Sequence, residues 1–425
     1  MTDTIFALSS GSPPAALAVL RVSGPQASSA LAALAGAIPQ PRRASYRLLR
    51  DAEGAALDHG LVLWFPGPST ATGEDLAEFH LHGGRAVVSA VEAALAELPK
   101  LRRATAGEFT RRAFANGRID LSEAEGLADL LTAETELQRR SAMAMADGAF
   151  SGRVQSWRDR VLVLSAAVEA VLDFGDEGDV SELPTNFLDD LRKFHVELSG
   201  WLARPRAERL KDGFRVVIAG PPNAGKSTLF NALVEDEAAI TSPLAGTTRD
   251  VLTRAVSIGG MPFVFADTAG LRDETGDEIE AIGISRAKGA LDGADLILWL
   301  GPEGEGPEDT WEIAAQCDRA GAPSKRCPRH TVSAVSGQGL DGLRHDLVAS
   351  AARMMPRPGD AALNRRQHTL IGDAASALAA AGREKDPLLI AEGLRLARAA
   401  FDALIGRTTT EDMLDALFGR FCIGK

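Results

Sequence analysis

The octapeptide Gly220, Pro221, Pro222, Asn223, Ala224, Gly225, Lys226, Ser227 has the spacing G-x-x-x-x-G-K-[ST], with the apolar run "RVVIA" before it and a helical pattern opening at Thr228. Glycines at this spacing let backbone N–H groups turn inward around phosphate oxygens. Lys226 can neutralise the charge of the β- and γ-phosphates, and the Ser227 hydroxyl can ligate Mg²⁺ at the helix N-terminus.

Two more segments extend this chemistry. In "DTAG", Asp267, Thr268, Ala269 and Gly270 follow the apolar run "FVFA". That places an acid at the end of a neighbouring strand, where it can hold the Mg²⁺ water shell, and leaves the Gly270 amide free to turn toward a γ-phosphate. Between the two motifs, "AGTTRD" supplies Thr247 and Thr248 to complete Mg²⁺ coordination. Three such elements, in this order, have GTPase spacing.

Guanine should be read by N-K-x-D after a later strand, because a carboxylate accepts from both guanine N1–H and the exocyclic amine. The string closest to that place is Ser324, Lys325, Arg326, Cys327, ahead of "VSAVSGQGLDGL", in which Ser333 and Ala334 form the last motif. A string without a carboxylate is expected to lose roughly 2 to 4 kcal/mol of guanine preference. Relaxed nucleotide selectivity follows as an expectation. Leu271 stands where Ras-like GTPases carry the glutamine that orients the attacking water. That work must come from a monovalent cation, a nearby carboxylate such as Glu278 or Glu280, or a second subunit.

The elements that position these residues show in the periodicity. Short apolar runs alternate with helical stretches from Thr4 to about Leu98, and from Asp120 to about Lys211 Ala and Leu recur three and four apart. Ser122 with Glu125 is expected to form a capping box at the first of these helices. The strand, glycine loop, helix grammar begins at Phe214, while "LWLGPEGEGPEDTWEIAAQCDRAGAPSKRC" lacks clear strand character. After "MMPRPGD" the chain is helical again. We therefore expect four segments: residues 1–118, 119–211, 212–354 and 355–425, the second and fourth forming one helical domain split by the third.

Composition narrows the function classes. With 46 Lys plus Arg against 58 Asp plus Glu, the formal charge is -12. Contact with nucleic acid therefore needs a local patch, such as Arg102 with Arg103, Arg111 with Arg112 and Arg118, Arg139 with Arg140, or Arg365 with Arg366. Solvated surface charge is the plainer reading of each pair. The 3 cysteines, Cys317, Cys327 and Cys422, form no C-x-x-C pair, which argues for a reducing compartment. Neither a basic leader nor a bilayer-length apolar run is present, so a cytoplasmic protein with no membrane contact is expected. His80 and His82 in "HLHGG" have no third ligand nearby, and a structural role outranks a metal site. The terminal "CIGK" is a poor prenylation signal, because Gly424 and Lys425 fit the required positions badly.

The motifs taken together, "GPPNAGKST", "AGTTRD", "DTAGLR", "LRVSG", "TGEDLAEFHLHGG", "GEFTRRAFANGRIDLSEAEGLADLL" and "FCIGK", resemble the MnmE (TrmE) family of tRNA-modification GTPases over nearly the whole chain. The resemblance implies a multidomain α/β plus all-α fold: an N-terminal mixed α/β folate-binding and dimerising domain, then a helical domain split by an inserted Ras-like P-loop GTPase domain. It implies that, with an FAD-dependent MnmG-type partner in a heterotetramer, the homodimer adds an aminomethyl or carboxymethylaminomethyl group to the wobble uridine of tRNA. The one-carbon unit would come from a tetrahydrofolate derivative, the 5,10-methylene or 5-formyl form.

Residue roles come with the resemblance. Asn223, Ser242, Leu244 and Thr247 would hold K⁺, Ser227 and Thr248 would hold Mg²⁺, and Glu280 would position the water when G domains pair. Arg21, Glu78, Arg118 and Lys425 would contact the folate, and Cys422 is a candidate reactive thiol. The alternatives are an RNA- or ribosome-assembly GTPase, and a nucleotide-binding scaffold with a degraded base motif.

Overall fold

The computed structural model describes residues 3–174, 182–235, 238–240, 252–267, 291–319, 321, 324–408 and 410–424. Nine of the site residues expected above, Ser242, Leu244, Thr247, Thr248, Thr268, Ala269, Gly270, Glu280 and Lys425, lie outside them, as do Leu271 and Glu278. The chain divides into two compact units, one of residues 1–128, 151–158 and 401–425, the other of residues 129–150 and 159–400.

In the first unit, β1 (Thr4–Leu8), β2 (Leu17–Ser23), β3 (Ser45–Arg50), β4 (Ala56–Phe65), β5 (Leu76–His82) and β6 (Leu101–Arg103) make one sheet in the order β3-β4-β5-β2-β1-β6. Alternation decides its faces. Ala18, Leu20 and Val22 of β2, with Ala77, Phe79 and Leu81 of β5, pack on α1 (Ala27–Ala35) and α2 (Arg85–Ala96). The intervening residues take the opposite face. Its β1 end is covered by α3 (Glu108–Ala115), where Ile5, Ala7, Ala104 and Phe109 cluster. Leu17, Tyr46 and Leu61, on the uncovered part of that face, are 63%, 65% and 41% exposed.

The helix α4 (Leu121–Leu131) begins differently from the expectation. Asp120 Oδ1 accepts from the Glu123 amide at 2.9 Å and Glu123 Oε2 accepts from the Asp120 amide at 2.6 Å, so Asp120 and Glu123 make the reciprocal cap. Ser122 is already helical and buried, and its hydroxyl donates to Leu404 O at 3.0 Å. The hydroxyl is drawn inward because a buried donor needs a partner.

The second unit begins with α5 (Glu136–Ala146), followed by α6 (Ala149–Phe174), α7 (Phe187–Leu202) and α8 (Glu208–Asp212). A sheet and its helices come next: β7 (Phe214–Ala219), α9 (Lys226–Val234), β8 (Ala238–Ala239), β9 (Leu252–Ile258), β10 (Met261–Asp267), β11 (Leu296–Trp299), β12 (Trp311–Ala314), β13 (His330–Thr331) and α10 (Leu340–Met354). Next come α11 (Arg365–Ala381) and α12 (Pro387–Leu404), and α13 (Glu411–Phe418), which belongs to the first unit, closes the chain. The sheet order is β13-β12-β11-β7-β10-β9-β8. β7 is parallel to both β10 and β11, and its "FRVVIA" is buried almost end to end, as befits a central strand covered on both faces. Its neighbours lie on opposite sides, so the loop after β7 opens at a topological switch point, the usual place for a ligand in such sheets. The segment read as lacking strands takes in the end of β11 and all of β12. Each is only four residues long, too short for a clear period to show.

Candidate functional site

The loop from Gly220 to Gly225 reverses the chain between β7 and α9 with three unusual backbone angles: φ is +151° at Gly220, +62° at Asn223 and +90° at Gly225. A Cβ on Gly220 would lie 3.1 Å from the Gly301 amide nitrogen, so both conformation and space call for glycine there. Lys226, 7% exposed, folds its ammonium back to donate to Pro221 O at 2.9 Å. Ser227 Oγ donates to Asp267 Oδ2 at 2.7 Å, and Asp267 is 1% exposed at the end of β10. A hydroxyl and a carboxylate converging at a helix N-terminus are hard oxygen donors, and they fit Mg²⁺.

Beside the loop lies a cavity of about 160 Å³, lined by Gly225, Thr228, Ala315, Gln316, Asp318 and Ala334 among others. Ala315 to Asp318 leave the end of β12, the strand position from which a base-reading motif should come. They hold the acid of such a motif at its fourth place, Asp318, while Ala315 and Gln316 occupy the places of asparagine and lysine. This corrects the assignment to Ser324–Cys327, none of which lines the cavity among the described residues.

The Lys325 side chain is 5% exposed and engaged elsewhere, its ammonium donating to Trp299 O at 2.7 Å and to Glu312. Glu303 accepts from the amides of Arg326 at 2.6 Å and Cys327 at 2.9 Å. The string is a structural knot around β11 and β12. A sequence signal for Asp318 did exist: an acid four residues beyond an apolar strand end and ahead of "VSA". Ser333 is fully buried, and its hydroxyl accepts from the Ser336 amide at 3.1 Å, shaping the turn that carries Ala334.

In the first unit, Arg21 and Glu78 face each other across β2 and β5. Arg21 Nη2 donates to Glu78 Oε1 at 2.8 Å, and His80 Nε2 pairs with Glu78 Oε2 at 3.1 Å. Burial pushes the Glu78 carboxyl up, but hydrogen bonds from His80 and Arg21, together with the charge of Arg21, more than offset it and hold it below the ordinary glutamate value. The result is an ionised carboxylate with fixed orientation on a sheet face. Arg118 is exposed; its stem packs on Gly73, where a Cβ would lie 3.1 Å from Cγ of Arg118. His82 Nδ1 pairs with Asp58 Oδ1 at 2.8 Å, and no metal-binding group of side chains occurs among the described residues.

The basic pairs are mostly spent in ion pairs. Arg112 is fully buried, donating to Asp3 O and Asp3 Oδ1 at 3.0 Å, to Glu74 Oε2 at 3.0 Å and to Glu108 Oε1 at 3.2 Å. Arg102 binds Asp3 and Glu108 of that network, and Arg139 and Arg140 both bind Glu136. Solvated surface charge is therefore the wrong description of Arg112.

The C-terminal tail is docked in the same unit. Ile423 bridges to Ala106, and Ser9 Oγ donates to Gly424 O at 2.8 Å. Ser9 lies two residues past Ala7, the β1 partner of Arg21. Cys422 is free and exposed.

Comparison with known proteins fits this arrangement. Residues 4–118 match the family described as "GTP-binding protein TrmE N-terminus", and residues 121–422 match "MnmE helical domain". The "tRNA modification GTPase MnmE" of Novosphingobium aromaticivorans is 63% identical with 100% of both chains covered, and that of Erythrobacter litoralis is 61% identical at the same coverage. A solved structure, a variant of Aquifex aeolicus Era bound to GDP.AlF4-, covers 41% of this chain and 69% of its own at 26% identity with a TM-score of 0.24. The family assignment rests on the full-length relatives.

Proposed function

The chain belongs to the MnmE family of tRNA-modification GTPases, and from that premise we propose that it hydrolyses GTP to drive addition of an aminomethyl or carboxymethylaminomethyl group at C5 of the wobble uridine in tRNA. One observation carries the hydrolase part: Ser227 and Asp267 meet at 2.7 Å beside a buried lysine, with a largely apolar cavity that carries Asp318 adjoining them. Backbone amides of Asn223 to Ser227 and the Lys226 ammonium hold the phosphates. Ser227, with Asp267 behind it and Thr248 from the neighbouring segment, holds Mg²⁺. Asn223, Ser242, Leu244 and Thr247 hold K⁺, and Thr268, Ala269 and Gly270 follow the γ-phosphate. When bound, the two cations supply charge neutralisation at the phosphates. Glu280 positions the attacking water once two G domains pair.

Asp318 reads the base in this proposal. Its carboxylate accepts from guanine N1–H and the exocyclic amine, and Thr228, Ser333 and Ala334 frame the rest of the ring. Asp318 supplies the carboxylate for guanine preference, while Ala315 and Gln316 still stand in the places of asparagine and lysine.

The N-terminal unit holds the tetrahydrofolate derivative, in its 5,10-methylene or 5-formyl form. Glu78, oriented by Arg21, would meet the pterin edge, Arg118 would face the glutamate tail, and Lys425 with its carboxylate would lie near the one-carbon unit. Cys422, free and exposed, is the candidate reactive thiol beside them. The exposed Leu17, Tyr46 and Leu61 support a homodimer through this sheet face, and an FAD-dependent MnmG-type partner completes the heterotetramer. The domain organisation is that of the four sequence segments, and the compartment is the cytoplasm. No helix among the described residues is long and apolar enough to cross a membrane.

The test is mass spectrometry of nucleosides from a deletion strain carrying wild-type or Ser227→Ala alleles. Wild type restores the wobble modification and Ser227→Ala does not. A deletion strain with its wobble uridines still fully modified would refute the assignment.

A further inference from the structure

Residues 4–50 carry five arginines and neither Asp nor Glu, in a chain whose formal charge is -12. Four of the five, Arg42, Arg43, Arg47 and Arg50, follow one another along β3 and the turn that leads into it, and β3 is an outer strand of its sheet. All four are exposed. Each donates to a neutral oxygen: Arg42 to Ser69 O, Arg43 Nη1 to Gln40 Oε1 at 3.0 Å, Arg47 Nη1 to Tyr46 O at 3.2 Å and Arg50 Nη1 to Gly54 O at 2.7 Å. None of the four forms an ion pair among the described residues, whereas Arg21, Arg102, Arg103, Arg111 and Arg112 of the same unit are taken by carboxylates. A guanidinium has five N–H donors, so most of these donors stay open to an anion.

Charge on an outer strand keeps other strands from pairing with it, and that work asks only for charge. Here every charged residue of the strip is arginine, whose planar fork suits phosphate oxygens two at a time. Arg42 is fixed in the left-handed region at φ +60°, its amide donates to Trp64 O at 2.8 Å, and its guanidinium lies 5.7 Å from the centre of the Phe65 ring. Arg47 alternates with Tyr46 and shares the side of buried Leu49, away from the face that carries Leu17, Tyr46 and Leu61. The nearest acids are engaged or distal. Asp58, the β4 partner of Leu49, is held by His82, and Asp51 and Glu53 follow Arg50, with Asp51 Oδ1 accepting from the Glu53 and Ala55 amides at 3.1 and 2.8 Å. The positive field is therefore strongest at Arg42, Arg43 and Arg47.

We propose that Arg42, Arg43 and Arg47 form a phosphate-binding edge for tRNA, one that grips the sugar-phosphate backbone without reading bases. This rests on the proposed action on tRNA and names the surface that action uses. Contacts of this kind set affinity and orientation, and they weaken with salt as counterions return to the RNA. An anionic lipid surface would attract the same charges, but the strip is a strand edge and its turn, not an amphipathic helix with an apolar side to insert.

The test uses the full-length chain as wild type, as the double variant Arg43→Gln with Arg47→Gln, and as a control pair, Arg139→Gln with Arg140→Gln, whose arginines are spent on Glu136. Binding to fluorescently labelled total tRNA from the deletion strain is followed by anisotropy between about 50 and 200 mM salt. The Arg43 and Arg47 variant should bind about tenfold more weakly at low salt, and its slope of log K against log salt should be smaller by about two. Its GTP hydrolysis, its melting temperature and its mass by light scattering should match the wild type. The control pair should bind as the wild type does.

Unchanged affinity and slope in the Arg43 and Arg47 variant would overturn the proposal. So would an equal loss in the control pair, which marks a general charge effect, or a changed mass, which assigns the arginines to a subunit contact. Loss of binding to phosphatidylserine vesicles with tRNA binding intact would make the strip a membrane edge and overturn it as well. A deletion strain with fully modified wobble uridines would remove the tRNA-modification function alone, and the anisotropy would still decide whether this edge holds RNA.

Discussion

Asp318 bears the most specific expectation at the scale of single residues. A carboxylate accepts from guanine N1–H and N2, whereas an amide can donate to the O2 of xanthine. Asp318→Asn should therefore raise the GTP KM roughly 30-fold or more and make XTP the better substrate, measured by phosphate release. Equal GTP kinetics in the variant would return base reading to another residue. Glu108 gives a second expectation. Burial raises its carboxyl, but Arg102, the Thr105 amide and Arg112 outweigh that and bring it to about 2. A carboxyl held below its unfolded value of 4.5 stabilises the fold above that pH, and the gain is lost as pH falls from 4.5 toward about 2. Discounted for solvent screening, it amounts to on the order of 1–2 kcal/mol. Glu108→Gln should flatten the acid side of the melting-temperature profile, and an unaltered profile would contradict the pairing. The phosphate loop was legible in the sequence because its glycines encode backbone angles directly. Asp318 was hidden because its motif partners are replaced by Ala315 and Gln316, leaving as its signal one acid four residues past a strand too short to declare itself.

Elements were legible where their period ran long. The alternation in β2 and the helical repeats stand in the sequence as they do in the fold, whereas four-residue β11 and β12 could not declare a period. The cap of α4 was misplaced because "DLSEAE" fits the capping pattern twice, two residues apart. The choice between Asp120 and Ser122 is made by Leu404 O, a tertiary partner that local sequence does not reveal. Two expectations belong to elements. Thr135 caps α5 in a box with Gln138, and Thr135→Ala should cost about 1 kcal/mol in denaturant unfolding. The tail is seated by Gly424, with φ +94° and no room for a Cβ, which would lie 2.0 Å from Leu8 O. Gly424→Ala should release it and speed amide exchange at Ile423 about tenfold or more, while exchange in β2 and β5 stays as in the wild type. Protected Ile423 in that variant would mean the tail is held elsewhere.

For the whole molecule, a net charge of -12 excludes any general pull toward RNA, and the buried Arg112 network shows why adjacent arginines do not by themselves make a patch. Contact with tRNA must rest on local surfaces. Family membership covers the full length of the chain, so the nucleotide site and the N-terminal carboxylate site serve one protein. Leu271 cannot orient water, and we propose that a monovalent cation controls hydrolysis of the guanine nucleotide instead. Steady-state phosphate release from the purified chain, with GTP and ATP in K⁺ against Na⁺ at equal ionic strength, tests it most directly. GTP turnover should be about tenfold or more faster in K⁺, with ATP slow in both; equal rates in the two cations, or ATP turned over as fast as GTP, would contradict it.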